Sequence, residues 1–276
     1  MEKKYPDRYF DVGIAEEHAL TFSAGLAANG AKPFVAIYST FLQRAYDSII
    51  HDIALQKLPV KMMIDRASLA VSDGPTHHGI FDVAFLSHVP GVEIFAPITN
   101  DSLRLAIDEA MKSSCPTAIR YANATEDEAV IKVLYPDGTK TPLGVRASFK
   151  PGEAEKIFIS YGSIISKVIK ARELLSEKGV SAGVIAIEKL RPYKNAASLI
   201  FPYIEGAQKI VFVDEGIKNG GAAMILREYL SDIGFDFSKT EYEIVAIDDN
   251  FVNPQKACDL YDYLGMSPER LAEHFI

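Results

Sequence analysis

Short runs of β-branched and aromatic residues alternate along this chain with stretches whose apolar residues recur at helical spacing. Residues 9–12, 33–38, 60–65, 92–96 and 117–121 have strand composition. Between the first two runs Ala19, Phe22 and Leu26 share one helical face, and Asn29-Gly30 supplies a stop. Leu42, Ala45, Ile49 and Ile53 repeat that spacing before the third run. A polar run, Thr125-Glu126-Asp127-Glu128, followed by Pro136-Asp137-Gly138 and Lys150-Pro151-Gly152, then breaks the rhythm. Residues 123–152 therefore read as a linker with room for one small hairpin. Alternation resumes with strand-like runs at 156–161, 182–187, 209–213 and 243–247, separated by helical segments such as 165–175 and 222–230. The pattern predicts an α/β chain of two consecutive three-layer domains with mainly parallel sheets, over residues 1–122 and 153–276.

Composition narrows the class of function. With 276 residues, 48% of them apolar, the chain can bury two cores of ordinary size. A formal net charge of −8 leaves no basic stripe for nucleic acid or an anionic membrane. Cys115 and Cys258 are far apart and have no C-x-x-C partner, so neither a disulfide framework nor a cysteine zinc site is supported. The opening Met-Glu-Lys-Lys-Tyr-Pro has no apolar stretch to serve as a signal peptide, and no later segment approaches ~18 uninterrupted apolar residues. A cytoplasmic protein, with reduced bystander thiols, is the expectation. No short-period repeat or low-complexity tract occurs.

In open parallel sheets ligands bind beyond the carboxyl ends of the strands. The first run is followed by Gly13-Ile14-Ala15-Glu16-Glu17-His18. The second ends at Tyr38-Ser39-Thr40-Phe41, with Arg44 a turn later, and the third ends at Asp65-Arg66. Asp73-Gly74-Pro75-Thr76-His77-His78-Gly79 lies on the following loop, and Arg120-Tyr121 closes the last run. Each has an ordinary explanation. Glu16 would favour the positive end of a helix. Tyr38 and Phe41 could be core, Arg66 and Arg120 surface ion pairs. Adjacent His77 and His78 would face opposite ways, which makes them poor joint metal ligands. Their convergence on one sheet edge raises the functional reading.

The runs from Arg8 to Ala19 and from Ala36 to Asp47, with Ile64-Asp65-Arg66 and the loop from Asp73 to Gly79, closely resemble the pyrimidine-binding domain of the 1-deoxy-D-xylulose-5-phosphate synthases. Val213-Asp214-Glu215 followed by Gly220-Gly221 resembles the transketolase-type C-terminal domain, a weaker match in the right order. The resemblance implies a thiamine-diphosphate-dependent transferase that joins pyruvate and glyceraldehyde 3-phosphate with release of CO2, supplying isoprenoid and thiamine precursors. It places Glu16 against the cofactor's ring nitrogen N1′, a task suited to a largely apolar pocket because burial disfavours the charged carboxyl. Phe41 would pack on the pyrimidine beside Tyr38, and Arg44 would order that pocket. His77 and Asp73 would sit at the substrate end, His77 sharing the catalytic work with Glu16. Arg66 and Arg120 would hold the aldehyde's phosphate.

Two departures from the family pattern qualify these expectations. Family members continue the last strand as Arg-Tyr-Pro-Arg-Gly, where this chain has Arg120-Tyr121-Ala122-Asn123-Ala124. The family's diphosphate and Mg²⁺ site, a Gly-Asp-Gly and a later asparagine, has no counterpart here, and the opening strand and helix of the pyrimidine domain are missing too. The resemblance thus implies a chain inactive until joined by an N-terminal diphosphate-binding half, in a homodimeric assembly. The alternatives are the C-terminal subunit of a split transketolase or of a 2-oxoacid dehydrogenase, and a non-catalytic paralogue.

Overall fold

The computed structural model describes residues 2–71, 73–138, 142–253 and 259–276. Cys258 lies outside the described residues. Helix α1 (Glu16–Ala28) begins with two acidic residues at the positive end of its dipole. It ends in a Schellman motif, with Gly30 at φ +85°, its N–H donating to the Ala27 carbonyl and that of Ala31 to Leu26. Strand β1 (Phe34–Tyr38) runs into a segmented helix: α2 (Ser39–Leu42), a 3-10 turn at Gln43–Ala45, α3 (Tyr46–Ser48) and a π-helical stretch at Ile49–Ala54. Leu42, Ala45, Ile49 and Ile53 are buried as their spacing predicts. The single helix expected there is broken into pieces, because apolar spacing fixes which side faces the core but not the backbone hydrogen-bond pattern.

The first sheet continues with β2 (Lys61–Asp65), α4 (Asp82–Ser87), β3 (Glu93–Phe95), α5 (Asn100–Lys112) and β4 (Thr117–Arg120). Thr99 and Ser102 cap α5 reciprocally. After α6 (Glu128–Leu134) and β5 (Val145–Ala147) the second sheet is built from β6 (Lys156–Ser160), α7 (Ile165–Glu177) and β7 (Gly183–Ile187). The chain then runs through β8 (Lys189–Arg191), α8 (Tyr193–Ile204), β9 (Lys209–Ile217), α9 (Ala222–Asp232) and β10 (Glu241–Ile247), and ends in α10 (Leu260–Tyr263) and α11 (Pro268–Glu273). The strand orders are β1-β2-β4-β3-β8 and β10-β9-β6-β7-β5. All neighbours are parallel except β8 on β3 and β5 on β7.

Two sequence expectations need correction. Residues 9–12 form no strand: a 3-10 turn at Pro6–Arg8 leads into backbone that pairs with neither sheet. Residues 123–152 are more than a linker with a hairpin. Helix α6 buries Val130 and Leu134 in the second core, and β5 forms an edge of the second sheet, paired not with a hairpin partner but with β7. The two sheets are also stitched together, since β8 follows β7 in the chain yet pairs with β3 of the first sheet. One apolar cluster accordingly joins Leu20, Ile49 and Ile94 to Ile159, Ile200 and Phe212.

A buried polar cluster lies between the sheets. Arg120 is 5% exposed and donates from Nε and Nη2 to both oxygens of Asp82, at 3.0 and 3.3 Å. Its guanidinium carbon lies 5.1 Å from the ring centre of Tyr161. The Tyr161 hydroxyl and the Gly216 N–H both donate to Asp214 Oδ1, and Oδ2 of Asp214 has no hydrogen-bond partner. Burial raises the Asp214 pKa above its ordinary 3.8, against the lowering effect of the Tyr161 and Gly216 bonds and of Arg120. A carboxyl whose folded pKa is raised stabilises the fold most while protonated, and loses that contribution as pH rises through the folded value. Urea-unfolding midpoints measured from about pH 4 to 7 should therefore fall with pH more steeply for the native chain than for Asp214→Asn. Parallel curves would contradict the buried charge.

Candidate functional site

The first-domain site is built on the N-terminus of α1 and the carboxyl ends of β1 and β2. Glu16 is the first residue of α1, whose N-cap, Ala15, offers no side-chain acceptor. Its carboxylate is 11% exposed, and Oε1 accepts from Arg44 Nη1 at 2.9 Å. Arg44 sits in the 3-10 turn of the segmented helix, with its guanidinium carbon 4.7 Å from the Phe41 ring centre. Phe41 stacks on Tyr38 at 5.7 Å and 11°, and receives His77 edge-on at 5.6 Å and 74°. Arg66 lies 4.0 Å over the Tyr38 ring and pairs with Asp65. Six expected site residues, Glu16, Arg44, Phe41, Tyr38, His77 and Arg66, thus form one continuous chain of contacts. The Glu16–Arg44 pair contributes at most about 1 kcal/mol because Arg44 is solvated, so it orients the carboxylate more than it stabilises the fold.

His77 reaches the site on the loop before Gly79, against the Phe41 ring. Ser68 and Gly79 close it with two backbone hydrogen bonds, of 2.9 and 2.8 Å. A Cβ at Gly79 would stand 2.3 Å from the Arg66 carbonyl and 2.7 Å from the Ser39 Cβ, so only glycine fits. Thr40 donates its hydroxyl to the Thr76 carbonyl at 3.0 Å, which ties the loop to the start of α2. The Thr76 hydroxyl bonds His77 Nδ1 at 2.9 Å. The two histidines take separate roles, as their adjacency predicts. His78 is buried and accepts the Ala70 N–H on Nδ1 at 3.0 Å, and burial lowers its pKa, which suits a neutral structural ring. Asp73 is exposed on the same loop, its N–H donating to the Ala70 carbonyl at 3.2 Å.

Arg120 is held in a buried ion pair. Burial alone would lower its pKa, but the Asp82 carboxylate outweighs that and raises it, so the guanidinium is a permanently charged half of an internal pair. It also lines a cavity of about 260 Å³ with Ala67, Tyr121, Gly162 and Ser163. Two of its nitrogens, Nε and Nη2, are engaged by Asp82. Sequence reasoning missed Asp82, Tyr161 and the pairing of Asp214. A lone aspartate opening a short helix gives no local sign that it answers an arginine 38 residues away.

The sequence matches the transketolase pyrimidine-binding domain over residues 1–125 and the transketolase C-terminal domain over residues 147–271. The chain carries two domains of transketolase type. It is 37% identical over 274 residues to the 1-deoxy-D-xylulose-5-phosphate synthase of Gloeobacter violaceus, covering 99% of this chain and 42% of that protein. With the synthase of Clostridium perfringens identity is 37% over 276 residues, covering 100% of this chain and 43% of that protein. The chain thus spans less than half the length of these relatives. Among solved structures, a split gene transketolase described as an inactive beta4 tetramer shares the fold, with a TM-score of 0.80 and 24% identity over 98% of this chain and 83% of that one.

Gly79 gives a test of the loop. Gly79→Ala should cost about 1–3 kcal/mol in urea unfolding, since neither the Arg66 backbone nor Ser39 can retreat without moving the Tyr38–Arg66 stack. Wild-type stability in that variant would show that the loop is not held as described.

Proposed function

We propose that the chain supplies the pyrimidine-binding end and the C-terminal domain of a thiamine-diphosphate-dependent synthase, which condenses pyruvate with glyceraldehyde 3-phosphate to 1-deoxy-D-xylulose 5-phosphate with release of CO2. Turnover requires a diphosphate-binding half contributed from outside these 276 residues. The observation that carries this reading is the contact chain from Glu16 through Arg44 and Phe41 to Tyr38, His77 and Arg66. Similarity to the synthases over nearly the whole chain supports it.

The residues present fit an aminopyrimidine ring. Glu16 has one carboxylate oxygen committed to Arg44, which leaves the other for a ring nitrogen. Phe41 and Tyr38 supply flat apolar surface beside it, and such stacking contributes about 0.5–1.5 kcal/mol beyond area burial. When bound, the cofactor supplies a carbon nucleophile and an electron sink for decarboxylation. Glu16 would hold a proton at N1′ through the oxygen not engaged by Arg44. Arg44 fixes the direction of the carboxylate, and His77, braced by Thr76 and Phe41, moves a proton at the substrate end.

Arg66, half-buried over Tyr38, is assigned to the aldehyde's phosphate, and Asp73, on the loop that carries His77, to the substrate's polar groups. Among the described residues no group of three or more His, Cys, Asp or Glu side chains is placed to hold a metal ion. The diphosphate and its Mg²⁺ are assigned to the other half. Among the described residues no helix is long and apolar enough to cross a membrane.

In a complex reconstituted with the diphosphate-binding part of the Gloeobacter violaceus synthase, Glu16→Gln should slow pyruvate decarboxylation by about 100-fold or more, with the unfolding midpoint little changed. Unchanged turnover in that variant would remove Glu16 from the mechanism.

A further inference from the structure

Consecutive side chains of an extended strand point to opposite faces of the sheet, so neighbours such as Asp65 and Arg66 should diverge. Here they converge. β2 pairs with β4 in regular parallel register from Lys61 opposite Thr117 to Ile64 opposite Arg120. One residue further the register fails. The Tyr121 N–H donates to the Ile64 carbonyl, and the Tyr121 carbonyl accepts the Ala67 N–H, both at 3.0 Å. A residue in a regular parallel ladder bonds neighbours two apart, whereas Ile64 and Ala67 are three apart. Asp65-Arg66 is therefore a bulge holding one extra residue.

The extra residue is accommodated by Arg66 in the left-handed region, at φ +54°, a conformation that a Cβ disfavours. Such a conformation persists where its surroundings over-determine it. The Arg66 carbonyl packs against Gly79, where no Cβ could fit, and Ala67 is tied to Tyr121. Asp65 supplies the remaining restraint. Its Oδ1 accepts the Arg66 N–H at 2.7 Å, and its Oδ2 accepts from Nη1 of the same arginine. One carboxylate thus holds both the backbone and the side chain of Arg66.

The bulge re-aims the arginine. Tyr38 lies opposite Asp65 on β1, and the Arg66 guanidinium carbon stands 4.0 Å from the Tyr38 ring centre. With Nη1 on Asp65, the edge formed by Nε and Nη2 makes no hydrogen bond among the described residues. That edge is a fork able to meet two oxygens of a phosphate. Relaxed to negative φ, residue 66 would instead point to the opposite face of the sheet from Asp65.

We propose that Asp65 is a positioning residue, which holds Arg66 in the bulge and so sets the selectivity for a phosphorylated over an unphosphorylated acceptor aldehyde. The proposal rests on the assignment of Arg66 to the acceptor's phosphate under the proposed function.

The test uses the complex reconstituted with the diphosphate-binding part of the Gloeobacter violaceus synthase, and the chain alone. Asp65→Asn keeps an acceptor for the Arg66 N–H but loses the charge that holds Nη1. Its KM for glyceraldehyde 3-phosphate should rise about tenfold with kcat little changed, while its KM for glyceraldehyde stays as it was. A rise for both aldehydes, or for neither, would overturn the proposal. Arg66→Gln separates the two levels of the account. A raised KM for the phosphorylated aldehyde in that variant, beside an unaffected Asp65→Asn, would sink the positioning role alone. An unchanged KM in Arg66→Gln would remove Arg66 from the phosphate, and the proposal with it. A spectroscopic readout needs no turnover. In the chain labelled with isotopic arginine, the Nε–H resonance of Arg66, identified by its loss in Arg66→Gln, should be displaced by the Tyr38 ring current. Asp65→Asn should abolish that displacement with the rest of the spectrum unchanged. A resonance undisplaced in the native chain, or unmoved by Asp65→Asn, would overturn the proposal whatever the complex does. The expected spectra with an inactive complex would uphold the positioning of Arg66 and remove the proposed activity.

Discussion

A guanidinium taken out of water has to be answered by a carboxylate, and the arrangement of this protein depends on how Arg120 is answered. Leaving such a charge unpaired costs about 3–5 kcal/mol, a large fraction of the stability of an ordinary domain. Asp82 meets it with both oxygens from the first turn of α4, which fixes that helix against β4. The same guanidinium lies against the ring of Tyr161, whose hydroxyl donates to Asp214 of β9. The ion pair of one domain thereby becomes the surface on which the other docks. Ile80, the residue after Gly79, accepts the Ile217 N–H through its carbonyl and so ties the end of the His77 loop to β9.

That docking explains the division of labour between the two clusters. The Glu16 cluster is open and partly solvated, built from side chains at strand ends and on a loop that glycine alone can close. Its aromatic rings lie between two arginines, Arg44 over Phe41 and Arg66 over Tyr38, so a ring entering there would meet flat surface with a cation on either side. The Arg120 cluster is closed and holds the frame. Evolution of such a site can alter substrate contacts on the loop without touching the buried pair, since the two sets of residues share the backbone but no hydrogen bond.

Much of this was legible in the residues. Runs such as Lys61-Met62-Met63-Ile64-Asp65 are strands by composition, and the rule that ligands collect at strand ends led directly to Tyr38, Phe41 and Arg66. What escaped was non-local. Tyr9 to Val12 has the composition of a strand, but a strand exists only when something pairs with it. The polar residues from Thr125 to Glu128 concealed the helix that follows, because Val130 and Leu134 find their core only after α7 is in place. β8 is three residues long with two charges, too short to give a periodic signal, and its partner β3 belongs to the other domain. The pairing of Arg120 was hidden for the same reason: nothing near it in sequence announces Asp82.

Calorimetric titration of the purified chain with thiamine diphosphate and Mg²⁺, repeated after adding the diphosphate-binding part of a related synthase, shows whether the cofactor site is shared. No measurable binding is expected by the chain alone, and tight, magnesium-dependent binding by the pair. Magnesium-dependent binding by the chain alone would contradict this expectation, and would mean that the diphosphate is held by residues assigned here to other tasks.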